Sequence, residues 1–373
     1  MSAIPSYFSW QNPEQVAALR VEMGPDRVTP MKDSISPELR ELLGEELTSD
    51  PTTVHGLTNH LPMALVAKHR LGADGDELRR FAATYSRQLA PLASAKEPLD
   101  RATWKRAIGD SRAATELRSY FAHRVADDGV EVTLRSHLPS LLPGAGGAGF
   151  HGVIRLAYAI DAASTLQVAA GLAYFAEVAR PLAALAPFGG TTRDPEEIFT
   201  ALSSTSTWAT PPSARLIDDA MHKVAGHESF AHAAASLEVD DDSEATLAAC
   251  ALRLHASTNN FTALHGVTGL AALSVVRPWI EDQQLVDRVA FQALLAAYLS
   301  IGAPAIWSDN QLEEFALSTT GDPTEVSVAA ANSDDEHVAK LAYTTLTAFE
   351  KTRDPLYLAV ASRAVGPTSS QDD

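Results

Sequence analysis

Four histidines of this chain share one local setting. His60 precedes LPMAL, His151 precedes GVIRLAYA, His265 precedes GVTGLAAL and His337 precedes VAKLAY, so each stands at or just inside the start of an apolar helical stretch. An imidazole near the positive end of a helix dipole is disfavoured in its protonated form, which keeps a ring nitrogen free to bind a metal. Any one of them alone also reads as a hydrogen-bonded core histidine; the recurrence of the setting argues for a common ligand. Imidazole-rich sites suit Fe, Zn, Cu or Ni rather than Ca or Mg. The remaining histidines behave differently. His222, His227 and His232 are spaced so that each is turned by about 140° from the last on a helix, and cannot converge on one ion as a stripe. They are assigned to the surface with His69 and His123, and His55 is kept as a reserve ligand.

Lys340 follows His337 by one helical turn and shares its face in an apolar stretch. It either snorkels its ammonium to water or is desolvated, with a lowered pKa and an amine able to take up carbon dioxide and present a carbamate oxygen to a metal. On the helix that follows the glycine-rich turn PGAGGAGF, His151, Arg155 and Tyr158 fall at i, i+4 and i+7 and form one polar stripe on an otherwise apolar helix. That stripe suggests a lined pocket, with Arg155 placed to stabilise oxyanion charge and Tyr158 to hydrogen-bond it. Gly144, Gly146 and Gly149 also spell a GxGxxG, but Pro139 and Pro143 spoil a preceding central strand, and the acids that follow, Asp161 and Glu177, come too early and rather late for a ribose ligand about 20 residues on, so a dinucleotide site is disfavoured. An NADPH requirement is possible but has no support here.

The elements that must carry these residues read as helices almost throughout. Apolar periodicity and end signals place helices over 12–20, 37–47, 62–71, 76–89, 104–108, 113–125, 150–161, 166–186, 218–237, the stretch ending at His255, the repeat beginning at Phe261, the run to Ile301 and the segment from Asp335. FHGVIRLAYA and LHGVTGLAAL form a short internal repeat. Residues 191–212 read as a surface loop or lid, 318–331 as loop, and 130–134 as a weak strand signal. The fold class is mainly α: one multi-helix globular domain over 1–366 enclosing a central metal site, with few or no strands and a disordered tail over 367–373.

With 47 acids against 29 bases and a formal net charge of -18, the chain is a poor partner for nucleic acid or an anionic membrane. Its single cysteine, Cys250, lies in an apolar run and fits a buried thiol in a reducing compartment. No signal peptide is visible, so a cytoplasmic protein is expected. The uncharged run 289–307 carries Gln292 and breaks at Gly302 and Pro304, and reads as a buried helix rather than a membrane span.

NHLPMAL, LPGAGGAGFHGVIRLAYA, LHGVTGL and DDEHVAKLAY, in that order over most of the chain, resemble the questin oxidase-like proteins. The resemblance implies oxidative, Baeyer–Villiger-like cleavage of anthraquinone-type rings in fungal polyketide pathways. It implies a mostly helical fold and a mononuclear non-haem iron, Fe(II) acting with O₂, held by His60, His151, His265, His337 and a carboxylated Lys340. The expected activity is therefore an oxygenase acting on a small aromatic substrate. Two alternatives stand beside it: a metal-dependent hydrolase, in which the ion activates water, and a non-catalytic helical binding module.

Overall fold

The computed structural model describes residues 35–94, 99–185 and 190–366. The helix expected over 12–20 and the tail over 367–373 lie outside the described residues.

Side-chain caps define many of the helix starts. Ser36 accepts a hydrogen bond from the Leu39 amide at 3.1 Å, and Pro37, with no amide hydrogen to leave unpaired, opens α1 (Pro37–Glu46). A short strand, β1 (Ser49–Thr53), leads toward α2 (Leu61–Arg70), whose N-cap is His60. Asp74 caps α3 (Gly75–Tyr85), after which β2 (Leu89–Pro91) pairs antiparallel with β1. This pair, whose strands are separated along the chain by α2 and α3, is the only sheet among the described residues.

Then follow α4 (Ala114–Asp128), α5 (Val130–Leu141), two short 3-10 turns, α6 (His151–Asp161) and α7 (Thr165–Val178). The second half is built from α8 (Pro195–Ser203), α9 (Ile217–Ala225), α10 (Glu228–Ala235), α11 (Ser243–Thr258), α12 (Phe261–Val276) and α13 (Gln283–Ser300). It ends with α14 (Asp309–Thr319), α15 (Pro323–Asn332), α16 (Glu336–Thr352) and α17 (Pro355–Val365). The protein is mainly α.

Several expectations are corrected. Residues 130–134, which read equally well as strand or helix, are the first turns of α5, where Thr133, Leu134, His137, Leu138 and Leu141 are buried at helical spacing. The region 191–212 is not a continuous loop: Asp194 caps α8, with Pro195 and two glutamates in its first turn. Asp322 and Pro323 likewise start α15 inside the stretch expected to be loop. The helix expected over 166–186 stops at Val178, and 218–237 is two helices divided near His227.

Four helices form a closed ring. α2 packs on α6, α6 on α12, α12 on α16, and α16 returns to α2. Each is flanked on the outside: α1 and α3 beside α2, α7 behind α6, α13 behind α12 and α17 beside α16. α13 is in turn covered by α9, α10 and α11, so it is buried almost from end to end, as expected of its uncharged run. No helix among the described residues is long and apolar enough to cross a membrane.

Candidate metal centre

Each helix of the ring contributes one histidine. His60 enters from the N-cap of α2, His151 is the first residue of α6, His265 lies in the first turns of α12, and His337 in the first turn of α16. The rings meet. His60 is 4.7 Å, centroid to centroid, from both His151 and His337; His151 is 4.7 Å from His265, and His265 is 5.4 Å from His337. Ligand nitrogens of His60, His151 and His337 all lie within 4.8 Å of one another. His265 joins the group by its ring contacts and is fully buried.

The local backbone explains how His151 gets there. Ala148 and Phe150 have φ of 49° and 70°, left-handed conformations that cost non-glycine residues on the order of 1–3 kcal/mol each. The turn closes tightly: a Cβ on Gly147 would stand 2.0 Å from the Val178 carbonyl oxygen at the end of α7. The Asp218 carboxylate accepts from the Ala148 amide at 2.8 Å. The glycine-rich stretch is therefore a packing turn that aims His151 inward. The element before it is the helix α5, not the strand a dinucleotide fingerprint requires.

Hydrogen bonds fix the tautomers. In all four rings Nδ1 faces an oxygen: the Ala148 carbonyl for His151, the Phe261 carbonyl at 2.8 Å for His265, the Glu336 carboxylate at 3.1 Å for His60 and the Asp335 carboxylate at 3.3 Å for His337. A neutral imidazole holding its proton on Nδ1 has a lone pair on Nε2. All four Nε2 atoms are buried and have no hydrogen-bond partner among the described residues. A buried polar atom left unsatisfied costs about 1–3 kcal/mol, and four of them in one cluster make a donor set that a metal ion would satisfy. Orienting oxygens behind the imidazoles are the usual support of metal-binding histidines.

Electrostatics point the same way. Burial, reinforced by the Lys340 charge, holds the His60 and His151 rings well below the usual imidazole range, His151 at about 3. Burial is also the leading cause for His265 and His337. The rings are thus neutral at pH 7. Lys340 is buried, and that burial pulls its ammonium down to about 8, with Glu336 and Asp335 opposing the shift.

Arg155 and Tyr158 lie on the His151 face of α6 as expected, but their polar ends are held by protein groups. Arg155 Nη2 donates to Glu46 Oε1 at 2.7 Å and Nη1 to the Asn59 carbonyl at 3.5 Å; both Arg155 and Glu46 are buried. The Glu46 carboxylate also accepts from Asn59 Nδ2 and Gln167 Nε2, each at 2.9 Å. The next residue along, His60, is pinned by its amide donating to the Tyr85 hydroxyl at 2.9 Å. Tyr158 Oη donates to the Lys340 carbonyl at 3.5 Å. The stripe therefore braces the backbones that present His60 and Lys340.

His227 and His232 are exposed as expected, whereas His222 turns inward and donates from Nδ1 to the Asp218 carbonyl at 2.9 Å. His55, the reserve ligand, is exposed and is not among the clustered rings. Glu336 has no sequence signal beyond its place in the acidic start DDEH, and the ring it supports lies 276 residues away.

A ring of helices closing on four inward-turned imidazoles defines an all-α protein with a candidate metal centre. Residues 57–345 match the Questin oxidase-like family, and the chain belongs to that family. The matched span contains all four histidines and Lys340. Membership points to an oxidase or oxygenase acting on a small molecule of anthraquinone type. No curated protein matches the chain.

Proposed function

We propose that this protein is a non-haem iron oxygenase that oxidatively cleaves the ring of a planar phenol- or quinone-type substrate, in a Baeyer–Villiger-like outcome. The observation that carries the reading is the set of four buried, unpartnered Nε2 atoms on rings whose Nδ1 protons are already committed. His60, His151, His265 and His337 would hold the ion, and nitrogen donors joined by a hard oxygen suit iron better than calcium or magnesium. When bound, the iron supplies the one-electron and O₂ chemistry that amino-acid side chains lack.

The chain's own residues supply the setting. Lys340 provides the oxygen donor as a carbamate: the neutral amine attacks the carbon of CO₂, an N–C bond forms, and the amine proton leaves to solvent. With its pKa drawn to about 8, roughly a tenth of the amine is neutral at pH 7. The product is an anion where a cation stood, which removes the repulsion between a buried ammonium and a divalent ion. Glu336 and Asp335 keep the Nδ1 protons of His60 and His337 in place. Arg155 and Tyr158 act as positioning residues, bracing the His60 and Lys340 backbones.

Protein purified without chelator should contain near-stoichiometric iron and consume O₂ when given a hydroxyanthraquinone. Absence of any bound metal would favour the non-catalytic reading. Bound metal with substrate hydrolysis and no O₂ uptake would favour the hydrolase.

A further inference from the structure

The four imidazoles are not equally enclosed. His265, His60 and His151 are buried, whereas His337 is only partly buried: its side chain is 15% exposed against 9% for that of His60. The enclosure of the cluster is therefore thinnest at the start of α16, although the His337 Nε2 itself is buried. Beside that edge stands Phe261, the first residue of α12, with 52% of its surface exposed. Its ring lies 4.6 Å from the His265 ring and 4.7 Å from the His337 ring, roughly edge-on to both. Its backbone carbonyl meanwhile accepts the His265 Nδ1 proton. A scattered exposed apolar side chain is ordinary on a protein surface. An exposed phenyl ring wedged against two candidate ligands at the thinnest edge of their cluster is a different situation, because a molecule approaching the centre from this side meets that ring.

We propose that Phe261 is the substrate-binding platform of the site, the face on which a planar aromatic ring lies as it reaches the centre. The inference rests on the oxygenase reading for its choice of substrate class. The phenyl face supplies offset stacking with a fused-ring quinone, and burying its exposed apolar surface adds to the attraction. The platform discriminates by shape: a flat aromatic covers the ring fully, whereas a saturated polycyclic ketone of similar size covers it poorly. Because the link to His265 runs through the Phe261 backbone, the side chain can be changed without removing that hydrogen bond.

The test is a titration of the iron-loaded full chain with alizarin, a dihydroxyanthraquinone, and with a saturated polycyclic ketone, in wild type, Phe261→Ala, Phe261→Trp and the control Leu317→Ala, an exposed apolar change on α14. Iron content is measured in each. Phe261→Ala should bind alizarin about three- to tenfold more weakly with iron content unchanged. Phe261→Trp should restore binding, and Leu317→Ala should match wild type. In turnover, Phe261→Ala should raise KM more than it lowers kcat. Equal alizarin affinity in wild type and Phe261→Ala, or an equal loss for the saturated ketone, overturns the platform alone. Loss of iron from Phe261→Ala and Phe261→Trp alike gives the side chain a merely structural role and overturns it too. Wild-type protein that holds iron but ignores alizarin overturns the substrate reading and the platform with it.

Discussion

At the scale of single residues, the histidines announce themselves because an imidazole opening an apolar helix is chemically conspicuous, and His60, His151, His265 and His337 do meet. What they meet besides one another is settled by long-range pairing that no local pattern encodes. Arg155 shares a face with His151, but its partner is Glu46, 109 residues away. Glu336 is the residue whose role separates a built site from an accidental cluster. Removal of a supporting carboxylate behind a metal-binding imidazole typically costs about 10- to 100-fold in metal affinity. Glu336→Leu should therefore weaken iron binding by roughly tenfold or more, measured by competition with a chromogenic chelator, while Glu336→Gln, which keeps an acceptor for the His60 proton, should lose less. Equal affinity in all three proteins would remove Glu336 from the site. Lys340→Arg stays charged and cannot be carboxylated, so it should lose iron and activity together, and a ¹³C carbamate resonance present in wild type should vanish with it. Full iron occupancy and turnover in Lys340→Arg would dispose of the carbamate.

At the scale of elements, starts written by a cap and a proline were the most legible. Ser36 with Pro37 and His60 with Pro62 mark α1 and α2 where the sequence places them, and Asn260 caps α12 after the break at Asn259. The same kind of signal stands at Asp194 with Pro195 and at Asp322 with Pro323, masked by polar, Ser- and Thr-rich surroundings that read as loop. The internal repeat has a physical meaning that could not be read from the letters alone: its two copies, α6 and α12, pack on each other and bring His151 beside His265. Their contact depends on Gly269, where a Cβ would stand 2.4 Å from Phe150 Cγ. Phe150 cannot easily retreat, since its left-handed backbone leads directly into His151. Gly269→Ala should thus destabilise the protein by about 1–3 kcal/mol in urea unfolding and lower iron occupancy as well. Gly266→Ala is the control, since its Cβ would meet only the end of the Leu294 side chain at 3.2 Å, and it should be close to neutral. Comparable losses in the two variants would show that packing of Phe150 is not what holds the helices in register.

At the scale of the whole molecule, a buried neutral cluster makes stability depend on pH with a definite sign. In the unfolded chain each imidazole takes a proton as pH falls through about 6.5, whereas folded His151 refuses one until about 3, and His60, His265 and His337 are also depressed. Between those limits the unfolded state binds more protons, so stability is fully present above about 6.5 and is lost as pH falls. His255, lowered to about 4 by burial, adds to the same slope. Buried carboxyls oppose it: Glu177 is pushed up to about 8 and Asp287 to about 6, so each binds a proton in the folded state before the unfolded chain does. Lys340 contributes no slope in this window, because below about 8 it is protonated in both states. Among the described residues seven imidazoles are depressed, His69 and His137 included, against three raised carboxyls, Glu196 being the third, and the raised His222, which leaves a net of a few protons, each worth about 1.4 kcal/mol per pH unit. A charge argument alone gives the opposite sign, since acidification relieves the self-repulsion of a chain carrying -18. The metal-free protein should therefore unfold at lower urea concentration at pH 5 than at pH 7, by an amount that shrinks in His265→Leu, where one buried titrating ring is gone. A urea midpoint that holds steady or rises on acidification would mean that the rings are not neutral and enclosed in solution, and would remove the electrostatic basis for a shared ligand site.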